Sequence, residues 1–323
     1  MPVMSLLVAF NGSDASVAAL RYAASLAKQR GAHVTAILAH TAHEVIDRRS
    51  RWIPEEARAL LEAANSEILA EVTRRFEELR PALGLGDALD FREETGRVDT
   101  LLSEGARYYD MLIVGARTES DDAHVTHHPD RIALQSGRPV IVVPAGYDAG
   151  AQHSHAALAW DGGRAAARAL SDSLRLLEAD GRVSVLTVGK RTAWPIADLM
   201  THLERHGVEA VHENFPITHP VALSYCERHD PSLLVLGAYG HSKFREDFLG
   251  GVTAEVLEKI KIPVLLPIEK RMMTNYEKIH VARRDLEKLR AELIAGIGTQ
   301  KDRDPDLLIL HERVSKAINA LSA

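Results

Sequence analysis

The chain has 323 residues, 46% of them hydrophobic, which is enough for two ordinary domains with sizeable cores and an appendage. A formal net charge of −6 argues against a broad nucleic-acid-binding surface, and the single cysteine, Cys226, excludes an internal disulfide framework and fits a reducing compartment. No apolar run reaches the roughly eighteen residues a membrane span needs, so a cytoplasmic protein with no membrane segment is expected.

Met1 to Phe10 is apolar but carries no basic leader and no cleavage site, so it reads as a strand. The loop Asn11-Gly-Ser-Asp14 follows, with Ser13 or Asp14 expected to cap a helix over Ala15 to Arg30. Gly31 ends that helix, and His33 to Ala39 forms the next apolar strand. A long amphipathic helix is expected from Pro54 to Arg80. Two further strands, Asp110 to Ala116 and Arg138 to Pro144, precede a linker over Ala145 to Ser154, where His153 and His155 read as an exposed turn.

The same order then returns. His155-Ala-Ala-Leu-Ala-Trp-Asp161-Gly162 repeats the first strand and loop. A helix from Arg164 to Ala179 ends at Gly181, and a strand runs from Val183 to Val188. A shorter helix, Pro195 to His206, and another around Cys226, Pro220 to Arg228, come next. Leu233 to Gly237 is a strand, Val252 to Ile260 a helix, and Pro263 to Pro267 the terminal strand. The strands are continuous apolar runs rather than alternating ones, the pattern of parallel strands buried on both faces. The fold class is therefore α/β, with two tandem five-stranded parallel-sheet units at 1–146 and 154–268. Residues 269–323 remain as a helical hairpin, with apolar stripes at Ile279, Ala282, Leu286, Leu289 and Leu293 and at Leu307, Leu310, Val314, Ala317, Ile318 and Leu321.

Between the fourth strand of the second unit and its last helix lie Gly237-Ala-Tyr-Gly240, nine residues, and Gly250-Gly251-Val252-Thr253. Glycines at a strand-to-helix turn leave N–H groups open to a phosphate, and a helix N-terminus adds partial positive charge. In a doubly wound sheet, ligands sit at the carboxyl ends of the strands where strand order reverses. If the strands ending near Asp161 and Gly237 are neighbours there, carboxylate and glycine loop share one crevice.

These pieces resemble the universal stress protein family in its tandem form. The resemblance rests on Ala159-Trp-Asp161-Gly162, Gly237-Ala-Tyr-Gly240-His-Ser-Lys243, Phe248-Leu-Gly250-Gly251-Val-Thr253 and Pro263-Val-Leu-Leu-Pro267, within residues 1–268. It implies an adenine-nucleotide site in the second unit, for ATP and possible accompanying Mg²⁺. Asp161 would lie by the adenosine and Val188 near the adenine. Gly237, Gly240, Gly250 and Gly251 would line ribose and phosphates, joined by Lys243, Val252 and Thr253. Family members usually carry Ser or Thr directly after the third glycine, where this chain has Gly251; Thr253 is the nearest substitute hydroxyl. The resemblance also implies that the last strands, Val140–Val143 and Val264–Leu266, pair across a pseudo-twofold axis. The first unit lacks the second glycine, carries Asn11 for the aspartate and has Thr126-His127 near the third glycine's place, so its site reads as degenerate.

Other constellations are weaker. His124, His127 and His128 with Asp121, Asp122 and Asp130 suggest zinc, but without cysteines or a regular helical pair they read as a solvated loop. Cys226 reads as a small buried hydrophobe. The hairpin faintly resembles the two-helix aspartyl-phosphate phosphatases of sporulation control. Leu310-His-Glu-Arg-Val314 lacks their catalytic aspartate, which leaves a docking role: a homo-oligomer or protein partner bound through residues 272–323. The sequence therefore points to a nucleotide-biased regulator. A slow nucleotide hydrolase or transferase, and a nucleotide-independent interaction protein, stand as alternatives.

Overall fold

A computed structural model of the chain describes residues 3–41, 55–117, 125–189, 194–216, 221–236, 252–266, 286–287, 290 and 310–316, with the side chains of 55–65 and 252–255 excepted. The ten strands are β1 (Ser5–Ala9), β2 (His33–His40), β3 (Leu89–Thr95), β4 (Met111–Gly115), β5 (Val140–Val143), β6 (His153–Ala159), β7 (Leu177–Val188), β8 (Glu209–Phe215), β9 (Leu233–Leu236) and β10 (Val264–Leu266). The helices are α1 (Asp14–Arg30), α2 (Glu55–Leu83), α3 (Val98–Gly105), α4 (Pro129–Ser136), α5 (Arg164–Leu174), α6 (Ile196–Arg205), α7 (Val221–His229) and α8 (Val252–Lys259).

All ten strands form one sheet in the order β3-β2-β1-β4-β5-β10-β9-β6-β7-β8. Each half reads third, second, first, fourth, fifth from its outer edge inward, so each reverses direction between its first and fourth strands. Every pairing is parallel except one: β5 and β10 run antiparallel, with Leu265 opposite Ile141 and Val264 opposite Val142. This is the pseudo-twofold pairing the sequence implies. The strands there are buried on both faces, so the core on each face of the sheet runs on from one half into the other.

Alternation along the strands sends side chains to two cores. On one face Leu6, Val8, Leu158 and Val185 meet α1, α2, α5 and α6 through Leu20, Phe76, Leu170 and Leu203. On the other, Leu7, Val114, Leu186 and Leu234 meet α3, α4, α7 and α8 through Leu102, Ile132, Tyr225 and Val256. Helices on both faces are what the parallel crossovers require.

Two expectations are corrected. The helix expected over Arg164 to Ala179 stops at Leu174, and β7 begins at Leu177, with Gly181 inside it rather than ending a helix. Leu176 and Leu177 are buried, and the ladder to β6 pairs Leu177 with His153 and then Arg182 with His155, so the irregular stretch between them belongs to a strand. His153 and His155 are not in an exposed turn: both lie on β6 and are buried. The neutral imidazole is amphipathic enough to sit in a core when it finds polar partners, which both do.

Residues 1–270 form one compact unit and 271–323 another. In the second, residues 286–287, 290 and 310–316 are helical, on both expected helices. Glu312 and Lys316 form an i,i+4 ion pair at 2.7 Å. Among the described residues no helix is long and apolar enough to cross a membrane.

Candidate functional site

β6 lies between β9 and β7. Ala159 stands opposite Leu236 on one side and Leu186 on the other. β6, which leads to Asp161, and β9, which ends just before Gly237 in the sequence, are neighbours at the point where strand order reverses.

Trp160 extends the ladder by donating its N–H to the Leu186 carbonyl at 2.8 Å. Asp161 then turns the chain: its Oδ1 accepts the Gly163 N–H at 2.7 Å, an Asx turn, while Gly162 takes a left-handed φ of 76°. Gly163 caps α5 without a side chain. A Cβ there would lie 2.9 Å from Asp161 Oδ1, so glycine is what lets the carboxylate fold onto the helix entrance. A carboxylate offers about four lone-pair sites, and this turn uses one of them.

Val188 ends β7 opposite Phe215 of β8, with 37% of its surface exposed at the sheet's carboxyl edge. Gly189 donates to the Phe215 carbonyl at 2.8 Å. On the far side of β6, α8 opens at Val252 and Thr253 and leads into β10. Gly237, Gly240, Lys243, Gly250 and Gly251 lie outside the described residues.

The first repeat builds the same turn with different chemistry. Asn11 Oδ1 accepts from both the N–H and the hydroxyl of Ser13, at 3.1 and 2.7 Å. Ser13 Oγ in turn accepts the Ser16 N–H at 3.2 Å, so Ser13 and not Asp14 is the N-cap of α1. Asp14 instead pairs with Arg75 of α2 at 2.6 Å, and the same guanidinium donates to the Gly12 carbonyl, tying α2 to the loop. Ser13→Ala is expected to cost about 1 kcal/mol, read as a melting temperature lower by a few degrees. Unchanged melting would show the cap to be dispensable.

At the entrance of α4 the first repeat supplies its own anion. The His128 N–H donates to Asp99 Oδ1 and its ring Nδ1 lies 2.9 Å from Asp99 Oδ2. His127, buried, holds its Nε2 3.0 Å from the Gly115 carbonyl. A carbonyl only accepts, so Nε2 carries the hydrogen. These contacts join the end of β4, α3 and the start of α4 through side chains. His124, Asp121 and Asp122 of the suggested zinc cluster lie outside the described residues. Among those described, no group of three His, Cys, Asp or Glu side chains could hold a metal. Cys226 is half-buried on α7, and burial followed by the Asp230 and Glu227 charges pushes its thiol up to about 12, so it is no nucleophile at neutral pH.

Asp99 and Trp194 escape the sequence reading. Asp99 has no motif around it, and only the fold brings α3 to α4. Trp194 stands just before α6 and is 78% exposed; its signal was an aromatic beside a proline at a helix start.

Two five-stranded doubly wound halves, fused through antiparallel last strands and each turning on an Asn or Asp at its switch point, define a tandem α/β protein of Rossmann-like architecture. The model of the universal stress protein family matches residues 3–144 and 201–266, and the chain belongs to that family. The second match begins at residue 201, so β6, α5 and β7, with Asp161 and Val188, are placed by the fold rather than by the family match. A universal stress protein from Synechocystis sp. is 29% identical over 190 residues, 55% of this chain; the chain spans 65% of that relative's length. The structure of a universal stress protein from Archaeoglobus fulgidus DSM 4304 superimposes with a TM-score of 0.59 at 17% identity, over 83% of this chain and 96% of that one. A functionally unknown protein from Pseudomonas aeruginosa PAO1 superimposes with a TM-score of 0.51 at 14% identity, over 83% and 93%. At these identities the likeness is one of fold.

Proposed function

We propose that the chain is a regulatory protein that binds ATP, or another adenine nucleotide, in its second repeat, and that the nucleotide biases its conformation or its choice of partner. The observation that carries this reading is the order of strand ends along the carboxyl edge. β9 leads to the glycine-rich segment, β6 to Asp161, and β7 to the exposed Val188. A nucleotide has the same order of chemistry: phosphates for glycine N–H groups and a helix N-terminus, ribose hydroxyls for a carboxylate, and a flat base for an apolar surface.

Lys243 and Thr253 are proposed as further phosphate contacts. With Gly251 standing where a hydroxyl residue is usual, the loss is about one neutral hydrogen bond, roughly 0.5–1.5 kcal/mol. Mg²⁺ arriving with the triphosphate would be held by phosphate oxygens and water. The first repeat is proposed not to bind nucleotide in this way, because Asp99 already satisfies the entrance of α4. The carboxy-terminal segment, 272–323, is proposed as the surface for a protein partner or a second copy.

Calorimetric titration of the full chain with ATP tests the reading. One site per chain is expected, and Gly240→Val should abolish it by placing a branched side chain in the phosphate path. Asp161→Asn should keep the turn, as Asn11 does in the first repeat, yet weaken ATP about ten-fold or more by replacing a charged acceptor with a neutral one. No ATP heat in the wild type would sink the proposal.

A further inference from the structure

We propose that Trp194 is the base-stacking residue of the second repeat, its indole extending the Val188 surface into an aromatic platform for the purine. The inference rests on the nucleotide reading above and adds the residue that selects for the base.

The placement follows from topology. β7 runs to Val188 at the carboxyl edge, and α6 must run back along the sheet for β8 to lie parallel to β7. The start of α6 is therefore at the carboxyl edge too, and Trp194 stands two residues before its first residue, with Pro195 as the N-cap between them. From Asp161, Trp194 lies on the side of β7 and β8, opposite the side of β9. That is where the base falls if phosphates are at the glycine segment.

The exposure is selective. Ile196, Leu199, Met200 and Leu203 of α6 pack against the core, whereas Trp194 keeps 78% of its surface in solvent. Among the described residues of the second repeat no other aromatic ring is as exposed. A core function does not account for it.

The feature also occurs twice. The first repeat has Arg51-Trp52-Ile53-Pro54 directly before α2, the helix that corresponds to α6. Two of the chain's three tryptophans thus precede corresponding helices in the sequence, each followed within two residues by a proline. Indole stacks on nucleobases by offset π overlap and apolar burial, independently of the phosphates.

Titration of the full chain with ATP and with inorganic triphosphate separates the two ends of the ligand. Trp194→Ala should weaken ATP roughly ten- to one-hundred-fold and leave triphosphate binding unchanged. Trp194→Phe should restore most of the ATP affinity. ATP binding by Trp194→Ala at wild-type strength overturns the stacking role alone. Equal weakening of ATP and triphosphate also overturns it, by showing a general structural effect. A wild-type chain that takes up no ATP overturns the nucleotide reading, and this inference with it.

Discussion

Gly115→Ala is expected to destabilise the protein by about 2–4 kcal/mol, a large effect for one methyl group. Gly115 ends β4, and α1 starts directly across it. A Cβ at this position would lie 2.6 Å from the Ala15 carbonyl carbon and 2.7 Å from the Ser16 nitrogen. Both are backbone atoms, and neither can rotate away. Relief requires α1 to lift from the sheet, and α1 carries Leu20, Tyr22 and Leu26, all fully buried. The Gly115 carbonyl is also the acceptor for His127, so a shifted strand end would leave a buried imidazole without its partner. Thermal melting checks this: a fall of several degrees or more is expected for a fold of this size, and wild-type melting would mean that α1 has room for a side chain at Gly115.

The same close packing bears on the glycine signature itself. Gly115 matches Gly237 in the internal repeat, yet the first repeat has lost the second glycine and carries His127 near the place of the third. A glycine that persists where the rest of the signature has gone is held by packing, the approach of α1 to β4. The first glycine of the signature therefore carries fold information in the first repeat. The architecture and the degenerate signature of the first site were both legible in the sequence, while the side chain that fills the entrance of α4, Asp99, was not. Apolar runs, repeat spacing and Gly31 gave strands, helices and their order, because those are set by burial and by local backbone preference. The boundary at Leu174 was missed because Leu176 and Leu177 suit either a helix or a strand, and only their pairing with β6 decides. Asp99 was invisible because its meaning lies in a contact between α3 and α4, 29 residues away in the chain. The Asx turn at Asp161 was not foreseen, although it is local chemistry, because the sequence places that carboxylate only at the crevice and, through the family resemblance, as a neighbour of the adenosine.

Acid should act on the junction between the repeats. His153 on β6 is fully buried and its Nε2 lies 2.7 Å from the Tyr22 hydroxyl on α1, a contact from the second repeat to the first. Its Nδ1 is buried with no partner among the described residues. Tyr147 packs on the same Tyr22 ring, and neither phenol is ionised near neutral pH, since burial raises both. Among the described residues no carboxylate pairs with this imidazole, and burial, opposed only in part by the Ser232 backbone, depresses the His153 pKa to about 4. On the same strand His155 contacts Ser184 Oγ at 2.9 Å through Nε2 and Arg182 at 3.2 Å through Nδ1. Arg only donates, so Nδ1 accepts and the ring is neutral. Burial, then the Arg182 and His229 charges, bring its pKa to about 4 as well.

In the unfolded chain both titrate near 6.5. Between about pH 6.5 and 4 the unfolded state therefore binds protons that the folded state refuses, and stability must fall as pH falls. The contribution is intact above 6.5 and lost by about 4; for His153 alone it amounts to about 3 kcal/mol. Urea denaturation at pH 7.5, 6 and 4.5 checks it. The wild-type midpoint should drop across that range, and His153→Gln, which cannot titrate, should drop less whatever its stability at neutral pH. A midpoint that does not move between pH 7.5 and 4.5, or an unchanged slope in His153→Gln, would show that the imidazole is charged and accommodated in the fold. Because Tyr22 and His153 come from different repeats, the loss falls on the contact that locks α1 to β6, so acid is expected to loosen the pairing of the halves before it melts either one.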